Sequence, residues 1–517
     1  MASTLLRNAT VLPFTAQPDG GIDLTPQVRD VWVEGDRITQ VGPNLEVRAD
    51  RVIDATDQLL IPGFVDGHSH TVVGVLEKCA YEALPLELWM LYLPPDQKLD
   101  PRLHYLCAAI AGIEALKNGT TTLQDDLYAL PFTTPEIFEA TAQAYCDLGL
   151  RASLSLHAIN QPLHHTIPYL AEYLDADQKA ACQAAIEGFS IPEWSQLFRD
   201  LYQRWQGHQG LITTVLAPSA AQRVTPELMQ CISALSAEYD VPIHAHLLET
   251  RTQAVTGLEF FGETIIQYAQ RHGLLTHRTT IAHGIWLTPE DIERVAAAGA
   301  TIVHNPVSNY RLCSGIASIQ ALQAAGVNLA LGTDGMDSFN LFNVIRTAGL
   351  THSVIDSDYP RYPRAADVLK WATVGGARSA LLQDQVGAIA PGMKADFVLY
   401  DLNSLSFTPR HELPLHLVYA EDGRSIRRVF VNGRLVVAEG EVLTLKEADI
   451  LAEFRERLPE YRQLRQQFQR QGAQLRPAMD QVYQRAMAHP LAIDNFSRAG
   501  LSSRKLAPGV TEARPLS

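Results

Sequence analysis

Between residues 61 and 385 one pattern recurs eight times: a short apolar run ending in polar residues, followed by a stretch with helical spacing. The runs fall at 60–66, 120–124, 151–156, 211–216, 241–246, 279–283, 300–304 and 327–332. Two of the intervening stretches open on Thr225-Pro226-Glu227 and Thr288-Pro289-Glu290, a capping threonine with proline at the first helical position. Eight strands alternating with helices over this length predict an α/β fold, a (β/α)8 TIM barrel.

The flanks read differently. Residues 30–43 alternate apolar and polar side chains around Gly35-Asp36, and 427–437 do so around Asn432-Gly433, both hairpin signals. Neither end has enough strands for a core of its own. The expected organisation is therefore a composite β-sandwich domain from 1–60 plus 386–444, the barrel at 61–385, and a helical C-terminal extension at 445–517. Within that extension Pro459 is expected to break the helical pattern, and the residues from Leu491 onward read as a loose tail. Amphipathic segments there could cover the chain's own barrel or pack on a second subunit of a homo-oligomer.

The chain's 517 residues carry 42 Lys+Arg against 57 Asp+Glu, a formal charge of −15, which argues against nucleic acid or an anionic membrane surface as a partner. No apolar run reaches the roughly 20 residues of a membrane span. The six scattered cysteines form no CxxC pair and read as reduced thiols of a cytoplasmic protein.

The chemistry lies at the ends of the apolar runs, where barrel enzymes keep their active sites. His68 and His70 are two residues apart on a strand, so both can face the barrel mouth. The fifth run ends His244-Ala245-His246, and His246 is favoured as a third ligand because it is nearer the mouth, leaving His244 to pack as a hydrogen-bonded core histidine. His283 and Asp334 close two further strands, and Glu249 follows His246 by three residues. A carboxylate beside several imidazoles is costly to bury unless a cation meets it. Three imidazoles and one carboxylate suit Zn²⁺ or Fe²⁺ with a position left for water.

Pro62-Gly63-Phe64-Val65-Asp66-Gly67-His68-Ser69-His70 resembles the opening motif of the amidohydrolase superfamily. His246-Leu247-Leu248-Glu249, Ala282-His283-Gly284, His304-Asn305-Pro306-Val307-Ser308-Asn309 and Gly332-Thr333-Asp334-Gly335 resemble its cytosine-deaminase-like branch, which includes guanine deaminase, S-adenosylhomocysteine deaminase and the triazine hydrolases. The resemblance implies one divalent metal ion, Zn²⁺ or alternatively Fe²⁺, on His68, His70, His246 and Asp334. The fourth strand carries no lysine of the kind that bridges two metals in binuclear members. Catalytic roles then fall to Asp334 and His283, which orient a metal-activated water and accept its proton, and to Glu249, which protonates a ring nitrogen before ammonia leaves.

The activity expected is hydrolytic removal of an amino group from a small nitrogen heterocycle of purine, pterin, pyrimidine or triazine type. The alternative is hydrolysis of another C–N bond, in a cyclic amide, urea, carbamate or N-alkylamine. Substrate contacts are expected from Trp89, which could stack on a flat ring or simply pack its loop, and from Gln124, His157 and His304. Asp125 and Asp126 could reach the substrate or be solvated or arginine-paired. Asn305 and Asn309 are expected to brace their loop.

Overall fold

The computed structural model describes residues 3–82, 84–94, 98–335, 337–355 and 357–493. Eight parallel strands, ordered as in the sequence, form the barrel: Phe64–Ser69, Thr120–Asp125, Arg151–His157, Ile212–Ala217, Ile243–Leu247, Thr279–His283, Thr301–His304 and Asn328–Leu331. Seven coincide with the apolar runs; the first run, 60–66, is divided, its residues 60–62 belonging to a separate strand, Gln58–Pro62, outside the barrel and 64–66 opening the first barrel strand. Every residue of the first three is buried, on both strand faces. The eighth strand returns to the first across a short seam. There the Asp334 amide donates to the His68 carbonyl at 2.9 Å and the Thr333 amide donates to Asp66 Oδ1 at 3.0 Å. Burial pushes the Asp66 carboxyl up to about 7 against these hydrogen bonds.

The helices start where the sequence placed caps. Thr225 accepts from the Leu228 amide with Pro226 behind it, and Thr288 forms a capping box with Asp291.

Strands from both ends of the chain share a second, nine-stranded sheet. The join is the antiparallel pairing of Gln58–Pro62 with Phe397–Asp401. Gln27–Glu34 and Arg37–Gly42 form the first expected hairpin, and Ile426–Val431 and Arg434–Ala438 the second. The second turns at Asn432 and Gly433 with φ of 48° and 71°, the left-handed pair that tight hairpins require. Period-two alternation divides the side chains of Phe397–Asp401. Phe397 and Leu399 enter a core belonging to this sheet, while Val398 and Tyr400 join the large core of the barrel.

A buried ion pair ties the two units. Arg151, at the start of the third barrel strand, donates from Nε to Asp396 Oδ2 at 3.0 Å and from a terminal nitrogen to the Gly210 carbonyl at 2.6 Å. Both partners are almost fully buried, so each depends on the other for its solvation.

The C-terminal extension is helical, as expected, but Pro459 does not break it. Glu447–Ala488 is one helix of 42 residues with Pro459 and Pro477 inside it. An interior proline costs about 3 kcal/mol, and contacts on both sides of Pro459 offset it. Before it, Glu453 pairs with Arg102; after it, Tyr461 and Arg465 both bind the buried carboxylate of Glu77, Arg465 at 2.8 and 2.9 Å. The helix lies on its own chain. It approaches Leu91 so closely that a Cβ on Gly472 would sit 2.1 Å from the Leu91 carbonyl oxygen. Residues 494–517, where most of the expected loose tail falls, lie outside the described residues. Among those described, no helix is long and apolar enough to cross a membrane.

Two stability measurements follow. Arg151→Ala leaves the Asp396 charge buried without its partner and is expected to cost about 3–5 kcal/mol in urea unfolding. Gly472→Val is expected to lower the melting temperature and to raise proteolytic cleavage within the helix, because its side chain would occupy the space of the Leu91 backbone.

Candidate metal centre and active site

Four strand ends bring their side chains to one point at the barrel mouth. His68 and His70 come from the first strand, His246 from the fifth, His283 from the sixth and Asp334 from just beyond the eighth. Asp334 Oδ1 lies 3.6 Å from His68 Nε2 and 3.7 Å from His70 Nε2, and its Oδ2 lies 3.7 Å from His283 Nε2. His70 Nε2 and His246 Nε2 are 3.1 Å apart. Ligands about 2.0–2.1 Å from a tetrahedral ion stand roughly 3.3 Å from one another, close to these separations.

The outer nitrogens of the rings settle what the inner ones can do. His70 Nδ1 faces the Asp126 carbonyl at 2.7 Å and His246 Nδ1 faces the Ser219 carbonyl at 2.9 Å. A carbonyl only accepts, so each Nδ1 carries a hydrogen and each neutral ring turns a bare lone pair on Nε2 inward. Two such lone pairs 3.1 Å apart require a cation in common. Burial and the neighbouring imidazoles hold His246 well below the usual histidine range. At His70 burial is outweighed by the carboxylates of Asp334 and Asp126, which raise it. His68 Nδ1 pairs with His244 Nε2 at 2.8 Å, and His68 Nε2 is buried without a hydrogen-bond partner. His244 thus stands behind His68. Burial opposes ionisation of Asp334, but His68, His283 and His70 hold it well below the carboxylate range. Three inward-facing imidazole nitrogens and a carboxylate fit a divalent metal.

Strained backbone aims these groups. His283 and Asp334 have φ of 72° and 60°, and Ser219, whose carbonyl meets His246, has 57°. His283 Nδ1 lies 2.8 Å from Asn309 Oδ1, so its Nε2 is the free acceptor, 3.7 Å from Glu249 Oε2. Glu249 is buried, and that burial, with Asp334 and Glu87 nearby, raises its carboxyl well above the usual range. A cavity of about 880 Å³ opens over this cluster; its lining includes His70, His246, Glu249, His283, Asp334 and Trp89.

The other expected substrate contacts do not line it. Gln124 is buried inside its strand, before the mouth. His157 turns its Nδ1 onto Asp126 Oδ1 at 3.0 Å, so it braces the residue whose carbonyl holds His70. His304 is buried just before the short helix that Asn305 begins and that carries Asn309, and burial lowers its ring to about 3, leaving it neutral. Asp125 is neither solvated nor arginine-paired, since Thr71 and Tyr145 hydroxyls donate to it at 2.6 Å. The segment after the third strand, which carries His164 and His165, reaches the cavity through Thr166 and Ile167, and neither histidine lines it.

Several contributors went unread in the sequence. Ser308 donates to Asp334 Oδ2 at 2.6 Å, and the Ser219 and Asp126 carbonyls orient two rings. Glu87, which accepts from Thr250 at 2.6 Å, and Arg223 also line the cavity. The Asn305-Pro306 start of a short helix hinted at Ser308; backbone carbonyls leave no mark in a sequence.

A family model described as the amidohydrolase family matches residues 59–436. A 5-methylthioadenosine/S-adenosylhomocysteine deaminase of Moorella thermoacetica is 31% identical over 469 residues, 89% of this chain and 99% of the relative. A 5'-deoxyadenosine deaminase of Methanosarcina barkeri is 31% identical over 87% of this chain and 96% of the relative. Among solved structures, an adenosine deaminase from Xanthomonas campestris with bound zinc superposes with a TM-score of 0.76 at 25% identity, covering 89% of this chain and 99% of that one. A match over most of the barrel, together with relatives above 30% identity along nearly their whole length, establishes that the chain belongs to the amidohydrolase family, metal-dependent hydrolases of C–N bonds.

Proposed function

We propose that this chain is a zinc-dependent deaminase acting on the adenine ring of a nucleoside modified at its 5' position. The observation that carries the reading is the approach of the buried Glu249 carboxyl to His283 Nε2, with Asp334 also near that nitrogen. The names of the relatives supply the substrate class, and the zinc of the Xanthomonas campestris relative supplies the metal. The free thiols and acidic surface suit a cytoplasmic enzyme.

A divalent ion on His68, His70, His246 and Asp334 supplies Lewis acidity, which lowers the pKa of water toward about 7. The protein's own groups then divide the proton traffic. His283 Nε2 and Asp334 Oδ2, held by Asn309 and Ser308, take the proton of the attacking water. Burial raises the Glu249 carboxyl well above the usual range and so favours its protonated form, and Glu249 delivers a proton to the ring nitrogen adjacent to the attacked carbon. That carbon becomes tetrahedral, and its amino group, once protonated, leaves as ammonia. Trp89, with Val73 and Leu312 packed beside it, covers the cavity against water.

Ammonia release with 5'-deoxyadenosine and 5-methylthioadenosine, giving the 6-oxo products, is the expected outcome; release of an organic amine or a ring-opened product would sink the reading. Glu249→Gln is expected to lower kcat by about 10²–10⁴-fold while zinc content measured by mass spectrometry stays at the wild-type level. His70→Ala is expected to purify with little zinc and to lose activity that added zinc does not restore.

A further inference from the structure

The segment that follows the first barrel strand covers the cavity yet has little regular structure of its own. Past Leu76 and as far as Leu93, its described helical elements are two single turns, Leu86–Trp89 and Met90–Tyr92. Turns that short do not hold themselves in water. The inner side of this cover supplies Leu86, Glu87, Trp89, Met90 and Leu93 to the cavity wall. The placement of those side chains therefore depends on what lies against its outer side.

The C-terminal helix lies there. Tyr461, Arg465, Gln469, Gly472, Arg476 and Met479 recur every three or four residues, so they form one stripe along it. Every member of the stripe meets the cover. Tyr461 and Arg465 bind the Glu77 carboxylate, Arg465 at 2.8 and 2.9 Å. Arg465 also lies over the Tyr81 ring, 5.3 Å from its centroid, and the Gln469 side-chain amide meets the Tyr81 hydroxyl at 3.1 Å. Gly472 rests on the Leu91 backbone, Arg476 donates to the Tyr92 hydroxyl at 3.4 Å, and Met479 shares an apolar cluster with Leu88. Tyr81 and Tyr92 stack with centroids 5.8 Å apart, which joins the two ends of the cover to each other.

The helix is itself held on both sides of the stripe. Before it, Glu447 and Glu453 pair with Lys117 and Arg102 of the helix Pro101–Lys117. After it, Arg251, which follows the fifth barrel strand, donates to the Ala486 and His489 carbonyls at 3.3 and 2.6 Å. The helix begins at Glu447, past residue 436 where the family match ends, so this support lies outside the matched region.

We infer that the C-terminal helix is a splint for the active-site cover, with Arg465 and Gln469 as positioning residues that keep Glu87 and Trp89 at the cavity before substrate binds. A cover released from the splint would hold the binding-competent arrangement only part of the time, and apparent affinity falls in proportion to that fraction. The metal ligands sit on the barrel rim and do not depend on the splint.

The test is hydrogen exchange, read by mass spectrometry on the zinc-loaded full chain, in the parent, Arg465→Ala and Gln469→Ala. Amides between Glu77 and Leu93 are expected to exchange about tenfold faster in Arg465→Ala and about threefold faster in Gln469→Ala, with the barrel strands Arg151–His157 and Thr279–His283 unchanged. Gln469 is partly exposed, so its truncation leaves folding intact. A kinetic arm rests on the deaminase reading above. There KM for 5-methylthioadenosine is expected to rise about tenfold in Arg465→Ala, with kcat within about threefold of the parent and zinc content unchanged. Exchange unchanged in the cover of both variants, or raised no more there than in the barrel strands, would overturn the splint. A fall in kcat at constant KM would overturn it as well. If no nucleoside releases ammonia, the deaminase reading fails, and the exchange measurement alone decides the splint.

Discussion

Everything in the barrel mouth depends on two carbonyl groups. Those of Asp126 and Ser219 take the Nδ1 hydrogens of His70 and His246 and thereby decide that both Nε2 lone pairs face each other. Such an arrangement is repulsive until a cation enters, so the fold stores a demand for positive charge at one point. The same logic extends outward. His157 and Ser155 fix the Asp126 side chain, Asn309 fixes His283, and His244 stands behind His68. Each inner group has a partner that sets its orientation before any ligand arrives, which is how a site avoids paying reorganisation during reaction.

The barrel makes this convergence geometrically cheap. Parallel strands end together at one rim, so residues far apart in sequence meet after the chain has done nothing more than complete its sheet. What the strands do not provide is the final turn of each side chain. That comes from left-handed backbone at Ser219, Leu248, His283 and Asp334, positions an L-residue adopts only under compulsion from its surroundings.

Much of this was legible in the chain. Apolar runs ending in polar residues marked seven of the barrel strands and the opening of the remaining one because both strand faces are covered, and two-residue spacing placed His68 and His70 on one face. Asp334 and His283 were visible as strand-end residues. The same rule overreached at Gln124, His157 and His304, because a strand end has more than one face and its position alone does not say which side chain meets the cavity. Pro459 read as a helix break on local propensity, yet ion pairs to Arg102 and Glu77 on either side carry the helix through it. The supports supplied by main-chain oxygen were invisible, since any residue can offer one.

The sheet built from both ends of the chain has a consequence for biosynthesis. Gln58–Pro62 leaves the ribosome early, but the strand that covers its free edge, Phe397–Asp401, emerges only after the whole barrel has been translated. Through that interval the nascent chain presents an unpaired apolar edge, the kind of surface that invites intermolecular strand addition. Translational speed and chaperone access during the barrel segment therefore bear on the yield of this protein as directly as the stability of its finished form.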